Sequence, residues 1–406
     1  MRHSEFVSRL AQPADTRIVL LILDGLGDLR SPEQPKTALE LARTPNLDAL
    51  ARRSALGRIV PVAQGVTPGS GPAHLSLFGY DPRDPEADIG RGVLEALGLG
   101  LDLGPAHIAA RGNFASADAA GNITDRRAGR IATREGRRLC AKMTASLENL
   151  DIPIRVRIEP GEAYRFVLLL EGDGLRPQIA DTDPQRTGTP SLPARATVGE
   201  ATETADTIQR VIAHLETAID DEPQANRILL RGFSSLPDLP AFPQLYKMRA
   251  GAFAGYPLYR GVAAACGMTV VACSKQAAEA VTTVGDNWDA FEFFFVHVKQ
   301  TDQAGEDGDI EAKSRVIEQV DEALPALLAL GPDVLAITGD HSTPAPMKAH
   351  SWHPVPLLLH SDRCFIDQTE SFDEIAATNG HLGTIPSTEL LGLMMANAGR
   401  LAKFGA

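Results

Sequence analysis

The sequence predicts an α/β protein: a mostly parallel sheet covered by helices on both faces, with a smaller α+β domain inserted into it. Three observations carry this reading. First, continuous apolar runs stop abruptly at polar, glycine-rich clusters: 17–23 leads into Asp24-Gly-Leu-Gly-Asp28, 291–298 into Lys299-Gln-Thr-Asp302, and 334–338 into Gly339-Asp340-His341. Runs of that length suit strands buried on both faces. Second, helical patterns such as 44–53 and 313–330 alternate with them, an order that belongs to a sheet with two helical layers. Third, from about 105 to about 236 the pattern changes to short alternating strands (108–114, 154–157, 165–170) and turns such as Gly121-Asn122. The expected division is therefore 1–105 and 237–406 for the core, and 106–236 for the insert.

A chain of 406 residues has room for both parts, and 44% hydrophobic with 22% charged residues is ordinary for a globular protein. A formal charge of −13 argues against a nucleic-acid partner, which would need a basic surface. The four cysteines (Cys140, Cys266, Cys273, Cys364) show no CxxC spacing, which fits a reducing compartment. No apolar stretch approaches the roughly 20 residues that span a bilayer, and the first apolar run is too short for a signal peptide. The expectation is a cytoplasmic protein with no membrane partner; a homo-oligomer is compatible with it.

In parallel sheets ligands bind at the carboxyl ends of the strands, where all three polar clusters fall. Asp24, Asp302, Glu306, Asp340, His341, His350 and His353 bring carboxylates and imidazoles to that edge. Asp302 and Glu306, four apart, face the same way on a helical turn. Mixed oxygen and nitrogen donors suit Mn²⁺ or Zn²⁺, and a pair of ions could clamp a phosphoryl group in flight. Each aspartate alone is also an ordinary turn residue; four candidate ligands after one strand, Asp340, His341, His350 and His353, are harder to dismiss.

The segment Gly65-Val-Thr-Pro-Gly-Ser70-Gly-Pro reads as a loop entering a helix at Ser70. The amino end of a helix favours phosphate, and a metal could activate the hydroxyl as a nucleophile. An N-cap role explains the same serine equally well. Arginines crowd 126–138, with Arg111, Arg165, Arg231, Lys247 and Arg260 elsewhere. Guanidinium forks would suit a phosphorylated acid, while part of the run is an ordinary solvated helix face.

These residues sit in stretches that resemble the archaeal-type cofactor-independent phosphoglycerate mutases of the alkaline-phosphatase superfamily. The matching stretches include DGLGD (24–28), GVTPGSGPAHLSLFGYDP (65–82), ARGNFASADAAGNITDRRAGRI (110–131), HVKQTDQAGEDGD (297–309), TGDHSTP (338–344) and HSWHPVP (350–356). They run in order over nearly the whole chain. The resemblance implies an alkaline-phosphatase-like core, an inserted substrate domain and a phosphoserine intermediate. It also implies two divalent ions, Mn²⁺ first with Mg²⁺, Co²⁺ or Zn²⁺ as substitutes, and no need for 2,3-bisphosphoglycerate. Asp24, Ser70, Asp340 and His341 would hold one ion; Asp302, Glu306 and His350 would hold the other. Lys247 matches a lysine near the phosphate, and Arg111, Asp125, Arg126, Arg130 and Arg231 match positions that grip the acid.

The chain departs from the family pattern at Glu306, where histidine is usual, and at Gly71-Pro72, where Asp-Thr is usual. Glutamate is the harder ligand and would favour Mn²⁺ or Mg²⁺ over Zn²⁺. The implied reaction interconverts 2- and 3-phosphoglycerate. The alternatives are a phosphatase or phosphotransferase acting on another small phosphorylated acid or an amino-acid hydroxyl, and a non-catalytic paralogue that binds metal or phosphate.

Overall fold

A computed structural model describes residues 3–405. Thirteen strands occur among them. Ile18–Leu23 (β1) and Ala55–Val60 (β2) come first, then His107–Ala117 (β3), Ile123–Asp125 (β4), Arg155–Pro160 (β5), Arg165–Glu171 (β6) and Arg227–Ser234 (β7). Ala250–Ala254 (β8), Thr269–Val271 (β9), Phe293–Val298 (β10), Val334–Thr338 (β11), Val355–Ser361 (β12) and Gly383–Pro386 (β13) complete the set. The chain forms two compact units, one of residues 1–88 with 238–406, the other of 89–237.

The first unit holds an eight-stranded sheet in the order β13-β2-β12-β11-β1-β10-β8-β9. Only β12 runs against its neighbours; the other pairings are parallel. Every residue of β1, β10 and β11 is buried, because both faces of the sheet are covered. Ile310–Ala329 packs with Ala277–Asp286 and Gln300–Asp307, and a separate group joins Ser70–Leu77 to Pro257–Ala265 and Ser387–Asn397. The register sets Leu23 beside Val298 and Ile22 beside Thr338. The loops that follow β1, β10 and β11 therefore leave the sheet side by side.

The second unit is a five-stranded antiparallel sheet, β4-β3-β6-β5 with β7 against β3. Its core forms where Phe114, Phe166, Leu168, Ile228 and Leu230 meet the apolar stripes of Thr133–Ser146 and Thr202–Ile219. These two amphipathic helices sit among the short strands legible in the sequence. This unit starts at Ile89 rather than at 106, because helix Arg91–Gly98 packs on β3 and β7. The contact is tight: a Cβ on Gly92 would lie 2.0 Å from the Ala109 carbonyl oxygen. Backbone cannot yield as a flexible side chain does, so Gly92→Ala should cost about 1–3 kcal/mol. A lower urea midpoint with unchanged slope is the measurement that checks it. No helix among the described residues is long and apolar enough to cross a membrane.

Candidate active site and metal centre

Asp24 follows β1, Asp302 and Glu306 lie on helix Gln300–Asp307 after β10, and Asp340 and His341 follow β11. His350 comes from the loop leading to β12. The carboxyl edge of three adjacent parallel strands brings these side chains together. His341 Nε2 lies 3.3 Å from Asp24 Oδ1 and 3.3 Å from Asp340 Oδ2. His350 Nε2 is 3.4 Å from Asp302 Oδ1 and 3.8 Å from Glu306 Oε1. Two candidate metal-binding groups result, Asp24-Asp340-His341 and Asp302-His341-His350, each with its ligand atoms within 4.8 Å of one another. They share His341.

Ser70 is the first residue of helix Ser70–Leu77, and the N-cap is Gly69, which has no side chain to cap with. The capping role open to this serine is thus taken by its neighbour. The Ser70 carbonyl accepts a 2.8 Å hydrogen bond from His74 Nδ1, and the same nitrogen is 3.3 Å from Asp340 Oδ2. His350 Nδ1 donates to the Pro68 carbonyl at 3.1 Å. The serine loop is thereby tied to residues of both groups.

The electrostatics of this edge call for a cation. Asp24, Asp340 and His341 are completely buried, yet both Asp24 oxygens, Asp340 Oδ2 and His341 Nε2 lack a hydrogen-bond partner. Burial, with the Asp24 charge beside it, pushes the Asp340 carboxyl up to about 8. Burial also opposes ionisation of Asp24, but His297 and the Lys299 ammonium outweigh it and hold that carboxyl well below its usual range. His297 Nε2 stands 3.1 Å from Asp24 Oδ2, out of line for a hydrogen bond. Buried carboxylates and imidazoles this close, aimed at one another and unsatisfied, fit a divalent ion. Glu306 sits at the rim with its side chain 54% exposed, and burial and Asp302 raise its pKa.

Lys247 is not brought to this edge. It comes three residues before β8, which runs parallel to β10, so it belongs to the amino edge of the sheet. Its ammonium donates to the Ala11 carbonyl at 2.7 Å. Lys299 is the lysine at the site: its ammonium pairs with Asp302 and lies 3.2 Å from Asp24. Burial works against that charge, but Asp24 and Asp302 override it and keep the ammonium above its ordinary pKa. The signal present in the sequence was a lysine directly after an apolar run and three positions before an acid, in Lys299-Gln-Thr-Asp302. His353 stands outside both groups, with Nδ1 3.1 Å from Ser351 Oγ and its ring stacked on Trp352.

Sequence reasoning also missed Thr343, whose hydroxyl donates to Asp302 Oδ1 at 2.5 Å and lies 3.0 Å from His341 Nδ1. Such contacts fix the orientation of ligands. Gly305 permits this approach, since a Cβ there would meet the Thr343 carbonyl oxygen at 2.3 Å.

In the second unit the register puts Arg111 opposite Arg231 and Asn113 opposite Arg165. These four share one sheet face, opposite the core. The Nε atoms of Arg111, Arg165 and Arg231 and the Asn113 Oδ1 are buried without hydrogen-bond partners. Burial and then Arg165 lower the pKa of Arg111, while Arg231 Nε lies 3.5 Å from Asp181 Oδ2 and its Nη1 lies 3.6 Å from Asp183 Oδ2. Arg126 is already engaged, in a bidentate pair with buried Asp183 at 2.8 and 2.7 Å. Asp125 accepts from the backbone of Arg127 and Gly129, which closes a local turn. Arg130 is exposed, with φ of 54°.

Known proteins resemble this chain over nearly its whole length. The model of the metalloenzyme superfamily matches residues 16–397. A Thermotoga neapolitana protein named "probable 2,3-bisphosphoglycerate-independent phosphoglycerate mutase" is 47% identical over 99% of both chains. A Thermus thermophilus protein of the same name is 44% identical over 98% of both. Among solved structures, a Pyrococcus horikoshii protein superposes with a TM-score of 0.81 at 29% identity, covering 96% of this chain and 99% of the other. The cofactor-independent phosphoglycerate mutase of Thermoplasma acidophilum gives 0.72 at 29% identity, covering 95% of this chain and 100% of the other. With its carboxylates and imidazoles gathered beside a helix-initiating serine, the chain belongs to the metalloenzyme superfamily and, within it, to the 2,3-bisphosphoglycerate-independent phosphoglycerate mutases.

Proposed function

We propose that the chain interconverts 2- and 3-phosphoglycerate by way of a phosphoserine at Ser70. The observation that supports this best is the pair of ligand groups sharing His341 beside the helix that Ser70 begins. Asp24, Asp340, His341 and Ser70 would hold one divalent ion; Asp302, Glu306 and His350 would hold the other. Mn²⁺ is the proposed metal, because Glu306 adds a hard oxygen donor. The ions, when bound, would acidify the serine hydroxyl and neutralise charge on the transferring phosphoryl group.

The protein's own residues do the rest. Ser70 Oγ attacks phosphorus, the bond from phosphorus to the substrate oxygen breaks, and the proton lost by the serine ends on the departing hydroxyl. The other glycerate hydroxyl then attacks phosphoserine and restores Ser70. His74, held neutral by burial with a pKa near 3, anchors the Ser70 carbonyl through Nδ1–H. Lys299 takes the electrostatic role that the sequence suggested for Lys247. Arg111 and Arg165, with Asn113 on the same face, carry buried polar atoms without a partner that would suit the acid's carboxylate, and Arg231 stands beside Arg111 with Asp181 and Asp183 against its guanidinium. Arg126 and Asp125 support that segment.

The test is an assay of Mn²⁺-loaded protein with 3-phosphoglycerate, without added 2,3-bisphosphoglycerate, following 2-phosphoglycerate and free phosphate. The expected product is 2-phosphoglycerate; phosphate released in its place would assign the site to hydrolysis. Mn²⁺ at about 100 times its dissociation constant should add about 2.7 kcal/mol of stability per independent site. A rise in melting temperature, reversed by a chelator, checks that.

A further inference from the structure

We propose that Lys313 is a positioning residue for the metal centre, its buried ammonium joining the loop that carries Asp24 to the loop that carries Asp340 and His341. The proposal rests on the metal-binding reading given above. Lys313 stands on helix Ile310–Ala329 with its side chain completely buried. Its Nζ donates to the Gly27 carbonyl at 3.0 Å and to the Thr343 carbonyl at 2.9 Å. One of these carbonyls follows Asp24 by three residues, and the other follows His341 by two.

An aliphatic residue could fill the same space without the penalty of burying a charge. What lysine adds is a set of donors for two carbonyls on different loops, together with a charge that faces Asp28 Oδ2 at 3.8 Å. Asp28 repeats the pattern. Its Oδ1 accepts from the Leu29 N–H at 2.8 Å and from the Ala345 N–H at 3.0 Å, so it too spans both loops. Its Oδ2 accepts from the Ala38 N–H at 3.2 Å. Glu374 closes the network from behind, accepting from the Asp28 N–H at 3.2 Å and from the Thr37 hydroxyl at 2.6 Å.

The loops touch through backbone as well. The Thr343 N–H donates to the Gly27 carbonyl at 3.1 Å, and a Cβ on Gly27 would fall 1.9 Å from Ser342 Oγ. With no side chain to act as a spacer, the ammonium acts with Asp28 and this backbone contact to set how far apart the loops stand. Thr343 carries that spacing into the site, because its hydroxyl meets both Asp302 and His341. Any shift of Thr343 therefore disturbs both ligand groups together.

The experiment is calorimetric titration of the metal-free protein with Mn²⁺, run beside a melting curve for each variant. Lys313→Met should weaken Mn²⁺ binding by about 10- to 100-fold, the usual cost of losing support behind a ligand. Lys313→Gln, which keeps donors for the carbonyls, should fall between Lys313→Met and wild type. Ser314→Ala removes a buried hydroxyl from the next position, bonded to the Ala38 and Ile310 carbonyls. It should lower the melting temperature and leave Mn²⁺ affinity unchanged, which separates positioning from general stability. If Lys313→Met fails to fold, Lys313→Gln decides. Wild-type affinity in the folded Lys313 variants, at whatever melting temperature, overturns the proposal. A wild-type protein that binds no Mn²⁺ overturns the metal reading itself, and is seen before any variant is made.

Discussion

Ser70→Ala should lose phosphoryl transfer by about 10⁴-fold or more while keeping its fold and its metal. The serine begins a helix beside the ligand groups, and the proposed reaction needs a covalent carrier. Removing it costs the fold little, since Gly69 occupies the cap position and the anchoring bond from His74 goes to the Ser70 backbone. Single-turnover kinetics with labelled 3-phosphoglycerate should show labelled protein in wild type and none in the variant. Substantial 2-phosphoglycerate formation by the alanine protein would remove the phosphoserine from the mechanism.

Lys299→Met should lower kcat by about 10²- to 10³-fold, the range for deleting one preorganised charge or donor at a transition state. Metal binding should survive and even tighten, because the ammonium pairs with Asp24 and Asp302 and competes with a cation for them. Titration with Mn²⁺ thus separates lost catalysis from lost metal. Lys247→Met is the matched control: its ammonium serves the Ala11 carbonyl, so kcat should stay within a few-fold of wild type. A larger loss in the Lys247 variant than in the Lys299 variant would restore the role that the sequence first suggested.

The two lysines also show what a sequence carries and what it hides. The strand ends were legible because unbroken apolar runs leave no doubt about where burial stops, and Asp24, Asp302, Asp340 and His341 sit directly after those runs. The placement of Asp302 and Glu306 on one helical face was legible from spacing alone. Lys247 misled because its motif matches a family pattern, while only strand direction tells which edge a flanking residue joins. Arg126 shows a different limit: its partner Asp183 lies 57 positions away, and no local rule brings them together. Lys313 and Thr343 were invisible for the same reason, since each acts on loops contributed by distant parts of the chain. The start of the second unit was misjudged because helix Arg91–Gly98 reads as amphipathic whichever surface it covers.

The order of strands in the eight-stranded sheet also constrains how the protein is made. The second unit is a continuous stretch of chain and can fold as soon as it leaves the ribosome. The first unit cannot, because β1, synthesised early, pairs only with β10 and β11, synthesised late. Such long-range pairing is slow and leaves an apolar strand waiting for its neighbours. The group that contains Asp24 therefore stays incomplete until Asp340 and His341 emerge. The ions enter a nearly finished protein, and a nascent chain stalled before residue 340 holds no complete metal site.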